Sequence, residues 1–219
     1  MTEPVENQEA KTVAFFDFDG TLTTADTLMP FLKFVVGAPK YYAKLALVSP
    51  VLMAYFAKLI RNDVAKQIVL KQYLAGYQID ELFELGQRFS EKVIPTMLRP
   101  EGMEILRWHK EQGHECVLVS ASLDVYLKTW SQQEGFEATI CSSLEIKSDT
   151  VTGKLSDSNC YGLEKVSRIS RFEGRADYIK RYAYGDTRGD IPMLSHVDSG
   201  YLWSGREKAF KIFKRFDNE

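Results

Sequence analysis

The apolar run from Thr12 to Phe18, which closes on Asp17-Phe18-Asp19-Gly20-Thr21, constrains this chain more than any other feature. A run of that length and composition reads as a buried strand, and the glycine after the second acid lets the chain turn sharply. Because the strand ends there, the second carboxylate can swing round the same pocket as the first. Two carboxylates so close need a cation. The plain alternative is an acidic turn capping the sheet, given the preference of Asp and Gly for turns. The functional reading is a nucleophile with an acid/base partner.

Strand and helix patterns continue down the chain. From Met29 to Ser90 helical windows dominate, punctuated by Gly37-Ala38-Pro39, Ser49-Pro50 and Gly76. Pro100 to Gly113 reads as a helix and Glu115 to Ser120 as a second apolar strand. A helix over Leu123 to Glu134 follows, then a strand over Ala138 to Ser142, a hairpin over Ser143 to Lys154 and a helix over Glu164 to Phe172. Strands at Lys180 to Tyr184 and near Gly200 to Trp203 and a basic amphipathic C-terminal helix complete the pattern. Such alternation predicts an α/β fold, a doubly wound and mostly parallel Rossmann-like sheet with helices on both faces. The helical block is then an insertion after the first strand. The expected core is residues 1–22 and 97–219, with a helical cap over 23–96.

With 28 Lys and Arg against 30 Asp and Glu, the formal net charge is −2, which argues against nucleic acid as a partner. Cys116, Cys141 and Cys160 are widely spaced with no CxxC pair, so neither a disulfide framework nor a thiolate zinc site is expected. Residues 1–11 contain acids and no apolar run, unlike a signal peptide, and the expected location is the cytoplasm. His109, His114 and His196 lack ligand spacing.

A second acidic pair, Asp186 and Asp190 in Gly185-Asp186-Thr187-Arg188-Gly189-Asp190, again follows an apolar strand. Taken alone, Asp190 could simply cap the next helix. Hard Mg²⁺ takes oxygen ligands, and Asp17, Asp19 and Asp186 could supply carboxylates for it. Ser120 ends its strand, and the following Ala121-Ser122 is expected to start a helix, so that the hydroxyl and nearby N–H groups can meet a phosphate oxygen; a plain helix cap is the alternative. Lys165 stands at a predicted helix start, where a cation is disfavoured unless an anion is near.

In their order, Asp17-x-Asp19-Gly-Thr21, Ser120, Lys165 and Gly185-Asp186-x-x-x-Asp190, followed by Pro192-Met193-Leu194, resemble the four motifs of the haloacid dehalogenase superfamily in its phosphoserine-phosphatase-like branch. The resemblance covers nearly the whole chain. It implies a Mg²⁺-dependent phosphatase in which Asp17 attacks phosphorus and Asp19 protonates the leaving alcohol, then activates water. Ser120, Ala121 and Lys165 would hold phosphate oxygens, Asp186 would ligate the metal, and Thr21 and Asp190 would support the site. The insertion corresponds to a cap that contributes substrate contacts. Asp26 stands where phosphoserine phosphatases carry a glutamate that contacts the substrate amine, and Gly20 stands where they usually have Ser. Both departures weaken phosphoserine as the substrate.

Tyr41 to Ile60 is the most apolar part of the chain, yet its uninterrupted stretch, Leu45 to Ala57, is shorter than the ~20 residues of a spanning helix. It reads as a cap helix packed on its neighbours, or as an interfacial helix with lysines at headgroup level and the protein peripheral to the inner membrane face. Similar capped enzymes include those of the phosphatidylglycerophosphatase C type, which makes the expected partner either a lipid phosphate or a phosphorylated small molecule. Lys208, Lys211, Lys214 and Arg215, interleaved with Phe210, Ile212, Phe213 and Phe216, form a basic end. A non-catalytic phosphoacceptor module and a membrane-associated binding protein are the competing classes, and the sequence is silent on oligomeric state.

Overall fold

The computed structural model describes residues 11–213. The apolar run forms β1 (Lys11–Phe16), followed by four helices, α1 (Leu28–Val36), α2 (Ala38–Phe56), α3 (Asn62–Leu74) and α4 (Ile79–Lys92), and a 3-10 turn over Ile94–Thr96. The chain continues through α5 (Pro100–Glu111), β2 (Glu115–Leu123), α6 (Asp124–Gln133), β3 (Ala138–Ser142) and the pair β4 (Leu144–Lys147) and β5 (Thr150–Leu155). The last described elements are α7 (Leu163–Glu173), β6 (Tyr178–Gly185), α8 (Ile191–His196), β7 (Ser199–Ser204) and β8 (Ala209–Ile212).

The main sheet has the order β3-β2-β1-β6-β7-β8, parallel except for β8. Alternate residues of β1 feed two cores, as the pleat requires. Phe16 and Ala14 face α5, α6 and the helical insertion, whereas Val13 and Phe15 face α7 and α8. This is the expected doubly wound sheet. The strand order reverses between β1 and β6, and a ligand crevice opens beyond the strand ends at such a point.

Three expectations are corrected. The C-terminal segment is not a helix where it is described: Ala209–Ile212 pairs antiparallel with β7, and Phe210 packs edge-on against Tyr184 and Trp203. A two-residue period satisfies Phe210 and Lys211 as well as a helical one, and the open edge of β7 decides between them. Lys214, Arg215 and Phe216 lie outside the described residues. Strand β2 does not end at Ser120 but continues irregularly to Leu123, so α6 begins at Asp124 and not at Ala121. Strand β1 stops at Phe16, although Asp17 still donates its N–H to Tyr184 O at 3.0 Å.

Contacts with α6 and with the separate β4–β5 pair help to hold the helical insertion on the core. Helix α4 lies against α6 at Gly86, where a Cβ would fall 1.9 Å from the carbonyl oxygen of Val125. The β4–β5 hairpin bonds to the α3–α4 connection, with Gly76 N donating to Val151 O, Val151 N to Tyr77 O and Ile79 N to Asp149 O, each at 2.9 Å. Among the described residues no helix is long and apolar enough to cross a membrane.

Candidate active site

Asp17 follows β1 and Asp186 follows β6, so neighbouring parallel strands deliver both acids to one sheet edge. Lys165, near the start of α7, crosses the top of the sheet to reach them. Its ammonium lies 2.5 Å from Asp17 Oδ1, 2.7 Å from Asp190 Oδ1 and 2.8 Å from Val119 O. Thr21 Oγ1 stands between the other carboxylates, 3.1 Å from Asp17 Oδ2 and 3.5 Å from Asp186 Oδ1. Gly20 makes the turn with φ of 80°, and a Cβ there would fall 2.0 Å from Asp186 Oδ2, so a side chain at this position would displace the acid.

Asp17, Asp186 and Asp190 each offer an oxygen within 4.8 Å of the others. This differs from the expected metal set of Asp17, Asp19 and Asp186. The Asp19 carboxylate turns away, accepting from Thr27 N at 2.7 Å, from Thr27 Oγ1 at 2.6 Å and from Ser122 Oγ. The physical reason is that the backbone turns after Phe18, so the two acids no longer share a strand face. Asp190 has little left to give: Lys165 takes one oxygen, and Asp186 N, Thr187 N and Thr187 Oγ1 donate to the other. It holds the second acidic loop together and steadies Lys165. Ser120 Oγ accepts from Ser122 N at 3.0 Å, which leaves its own proton to donate.

Apart from Thr21 and Thr27, which are fully buried, these side chains line one cavity of about 660 Å³, together with Ala121, Asp26 and an apolar wall that includes Leu28, Met29, Leu52, Tyr55 and Phe56. Asp26 also has a structural task, since its Oδ1 accepts from Leu28 N at 3.0 Å and Met29 N at 3.3 Å and so caps α1.

The haloacid dehalogenase-like hydrolase model matches residues 14–195, a span that holds all of these side chains. The chain belongs to the haloacid dehalogenase-like hydrolase family. It is 32% identical to protein CicA of Caulobacter vibrioides over 91% of this chain and 85% of that one. It is 24% identical to a histidinol-phosphatase of Neisseria meningitidis, over 85% of this chain and 87% of the other. A substrate-bound phosphoserine phosphatase structure shares the fold with a TM-score of 0.63 at 17% identity, over 92% of both chains. The resemblance read from the four motifs therefore holds at the level of family and fold.

The electrostatics of this haloacid dehalogenase-like site follow from three acids gathered around one ammonium. Burial pushes the Asp17 carboxyl well above the usual range and the charge of Asp190 adds to this, against the pull of Lys165. Burial and Asp190 likewise push Asp186 up to about 6. Burial would raise Asp190 too, but the charge and hydrogen bond of Lys165 hold it below its ordinary value. Lys165 is raised, because Asp17 and Asp190 outweigh the opposing effect of burial. Burial, with the charge of Asp26, places Asp19 at about 6.

Sequence reasoning missed three members of the site. Lys66 on α3 reaches into the cavity, donating to Ala121 O and, at 2.8 Å, to Asn159 Oδ1. Both partners are neutral oxygens, and burial lowers the ammonium to about 8. Asn159 in turn donates to Asn62 Oδ1 at 3.0 Å. Arg99 donates to Gly20 O at 2.9 Å and lies 3.9 Å over the Trp203 ring. No local motif announces Lys66 or Asn159. Arg99 stands directly before Pro100 at the helix start, which was the one local sign available.

Proposed function

We propose that this family member is a Mg²⁺-dependent phosphomonoesterase that carries the phosphoryl group on Asp17, with a substrate whose body is apolar. The observation that supports it most is the meeting of Asp17, Asp186 and Lys165 at one sheet edge within a single cavity. The all-oxygen donor set fits Mg²⁺, and three crowded carboxylates exceed the charge that Lys165 supplies. Asp17 and Asp186 are the residues that would hold the ion, and bound there it would neutralise charge on the transferring phosphoryl group.

In this reading Asp17 attacks phosphorus as the bond to the alcohol oxygen breaks, and Asp19 gives that oxygen its proton. Asp19 then takes a proton from water as the water attacks the phosphorus of the acyl phosphate, freeing inorganic phosphate and Asp17. A carboxyl placed near 6 suits both transfers. Ser120 and Lys165 hold the phosphoryl oxygens. A dianionic ester otherwise repels an anionic nucleophile, so the cations are part of the mechanism.

Leu28, Met29, Leu52, Tyr55 and Phe56 give the substrate's remainder an apolar wall, which supports a lipid phosphate such as phosphatidylglycerophosphate. Lys66 supports a second reading, a small metabolite with a further anionic group, because among the described residues its buried ammonium hydrogen-bonds to neutral oxygens alone. The cytoplasm, or the inner membrane face, is the location these substrates imply.

The deciding experiment is release of inorganic phosphate from p-nitrophenyl phosphate with Mg²⁺ and its loss on chelation. No release under either condition, or a stable phosphorylated Asp17 without turnover, would defeat the enzyme reading. A panel of phosphoserine, sugar phosphates and phosphatidylglycerophosphate then separates the substrates, and inactivity on every lipid removes the lipid reading.

A further inference from the structure

A helix that is apolar on all sides is ordinarily buried on all sides. Helix α2 is not. Its inner half, with Tyr41, Leu45, Val48 and Leu52, packs against the rest of the helical insertion. Its outer half presents Ala43, Ala46, Leu47, Pro50, Met53 and Phe56, all exposed and none charged. Leu47 is 69% exposed, Met53 65% and Phe56 75%, and Leu59 in the turn after the helix is 78% exposed. A contiguous apolar face of this kind marks an interaction surface.

Its charge pattern selects the partner. From Leu28 to Asn62 the chain carries Lys33, Lys40, Lys44, Lys58 and Arg61 and no Asp or Glu, within a protein whose net charge is −2. Lys40 and Lys58 are exposed at the two ends of the apolar face, where headgroup phosphates would lie if that face met a bilayer, while Arg61 is paired with Asp63 at 2.8 Å. An anionic bilayer supplies both the negative charge that an acid-free stretch with exposed cations at its ends would meet and an apolar layer for the face between them. Phe56 also belongs to the cavity wall with Leu52 and Tyr55, so the exposed face runs into the mouth of the candidate active site.

We infer that the outer face of α2 and the turn after it form a docking surface for an anionic lipid bilayer, with Leu47, Met53, Phe56 and Leu59 below the headgroups and Lys40 and Lys58 among them. This docking rests on the phosphatase reading only in making the bilayer the source of substrate; binding itself stands apart from catalysis.

The test is co-sedimentation of the full chain with vesicles of phosphatidylcholine, with and without phosphatidylglycerol. The chain is expected to pellet with the anionic vesicles and to be released by salt. A Leu47→Ser, Met53→Ser variant, altered at exposed positions off the cavity wall, should bind roughly tenfold or more weakly. A Lys40→Gln, Lys58→Asn variant should lose on the order of 30-fold. Both should hydrolyse p-nitrophenyl phosphate at the wild-type rate, which separates failed docking from failed catalysis. The inference is overturned by no binding, by equal binding to neutral vesicles, by unchanged binding of both variants, or by a dimer in light scattering that the Leu47/Met53 variant dissolves.

Discussion

Lys165 and Asp190 form an ion pair of 2.7 Å in which the side chains are 2% and 3% exposed. Lys165 reaches Asp17 from the same position, so the pair sets where the cation stands beside the nucleophile. Removing one partner of a buried pair strands the other charge, at a cost of about 3–5 kcal/mol. Lys165→Met is expected to lose that much in urea unfolding. Asp190→Asn presents Lys165 with a neutral partner and should lower kcat by on the order of 100-fold while retaining the fold; wild-type kcat in that variant would deny Asp190 its positioning role.

Asp17→Asn should abolish phosphate release and leave the circular dichroism spectrum unchanged, because Lys165 keeps Asp190 as its partner. Near-normal turnover would remove Asp17 as the nucleophile.

The strands that build the site were legible because Val13–Phe16, Val117–Val119 and Ala183–Tyr184 are apolar runs ending at acids or a hydroxyl. What sequence could not supply is orientation. Asp19 was grouped with Asp17 by its spacing, and the turn instead hands its carboxylate to Thr27 and Ser122. Asp190 read as a helix cap or support, and only the path of α7 across the sheet makes it the partner of Lys165. Lys66 stands alone in a helical block, and its place beside Ala121 depends on how α3 packs. The C-terminal segment misled because four residues are too few to separate the two periods.

Lys66 loses its charge as pH rises through about 8. If it binds an anionic group of the substrate, KM rises above that pH while kcat changes less. Initial rates from pH 6 to 10 should show this rise in the wild type and a nearly flat KM in Lys66→Arg, whose guanidinium stays charged. Parallel profiles for the two proteins would take Lys66 out of substrate binding.

His109 is fully buried, bonded to Tyr184 Oη at 3.0 Å and His114 Nδ1 at 2.8 Å. Burial, with the neighbouring His114, lowers it from 6.5 to about 4. The unfolded chain therefore binds a proton first as pH falls, so the stability tied to this group is present above pH 6.5 and drains away toward pH 4. The loss is on the order of 3 kcal/mol. Urea midpoints across that range should fall for the wild type and less steeply for His109→Gln.

Asp26 can be divided between its two tasks. Asp26→Ala should cost about 1 kcal/mol in thermal unfolding through the lost α1 cap, whereas Asp26→Asn should keep the cap. A changed KM in the Asn variant with an unchanged melting point would assign the carboxylate to substrate; an unchanged KM would leave it as a cap alone.

The backbone bonds from Gly76, Tyr77 and Ile79 to the β4–β5 hairpin have a consequence for protein engineering. A chimera that swaps residues 23–96 for a relative's segment would leave the hairpin facing a foreign edge. The transferable module is discontinuous and must carry residues 143–156 along with the helices, and grafts that respect this should express and fold where simpler exchanges fail.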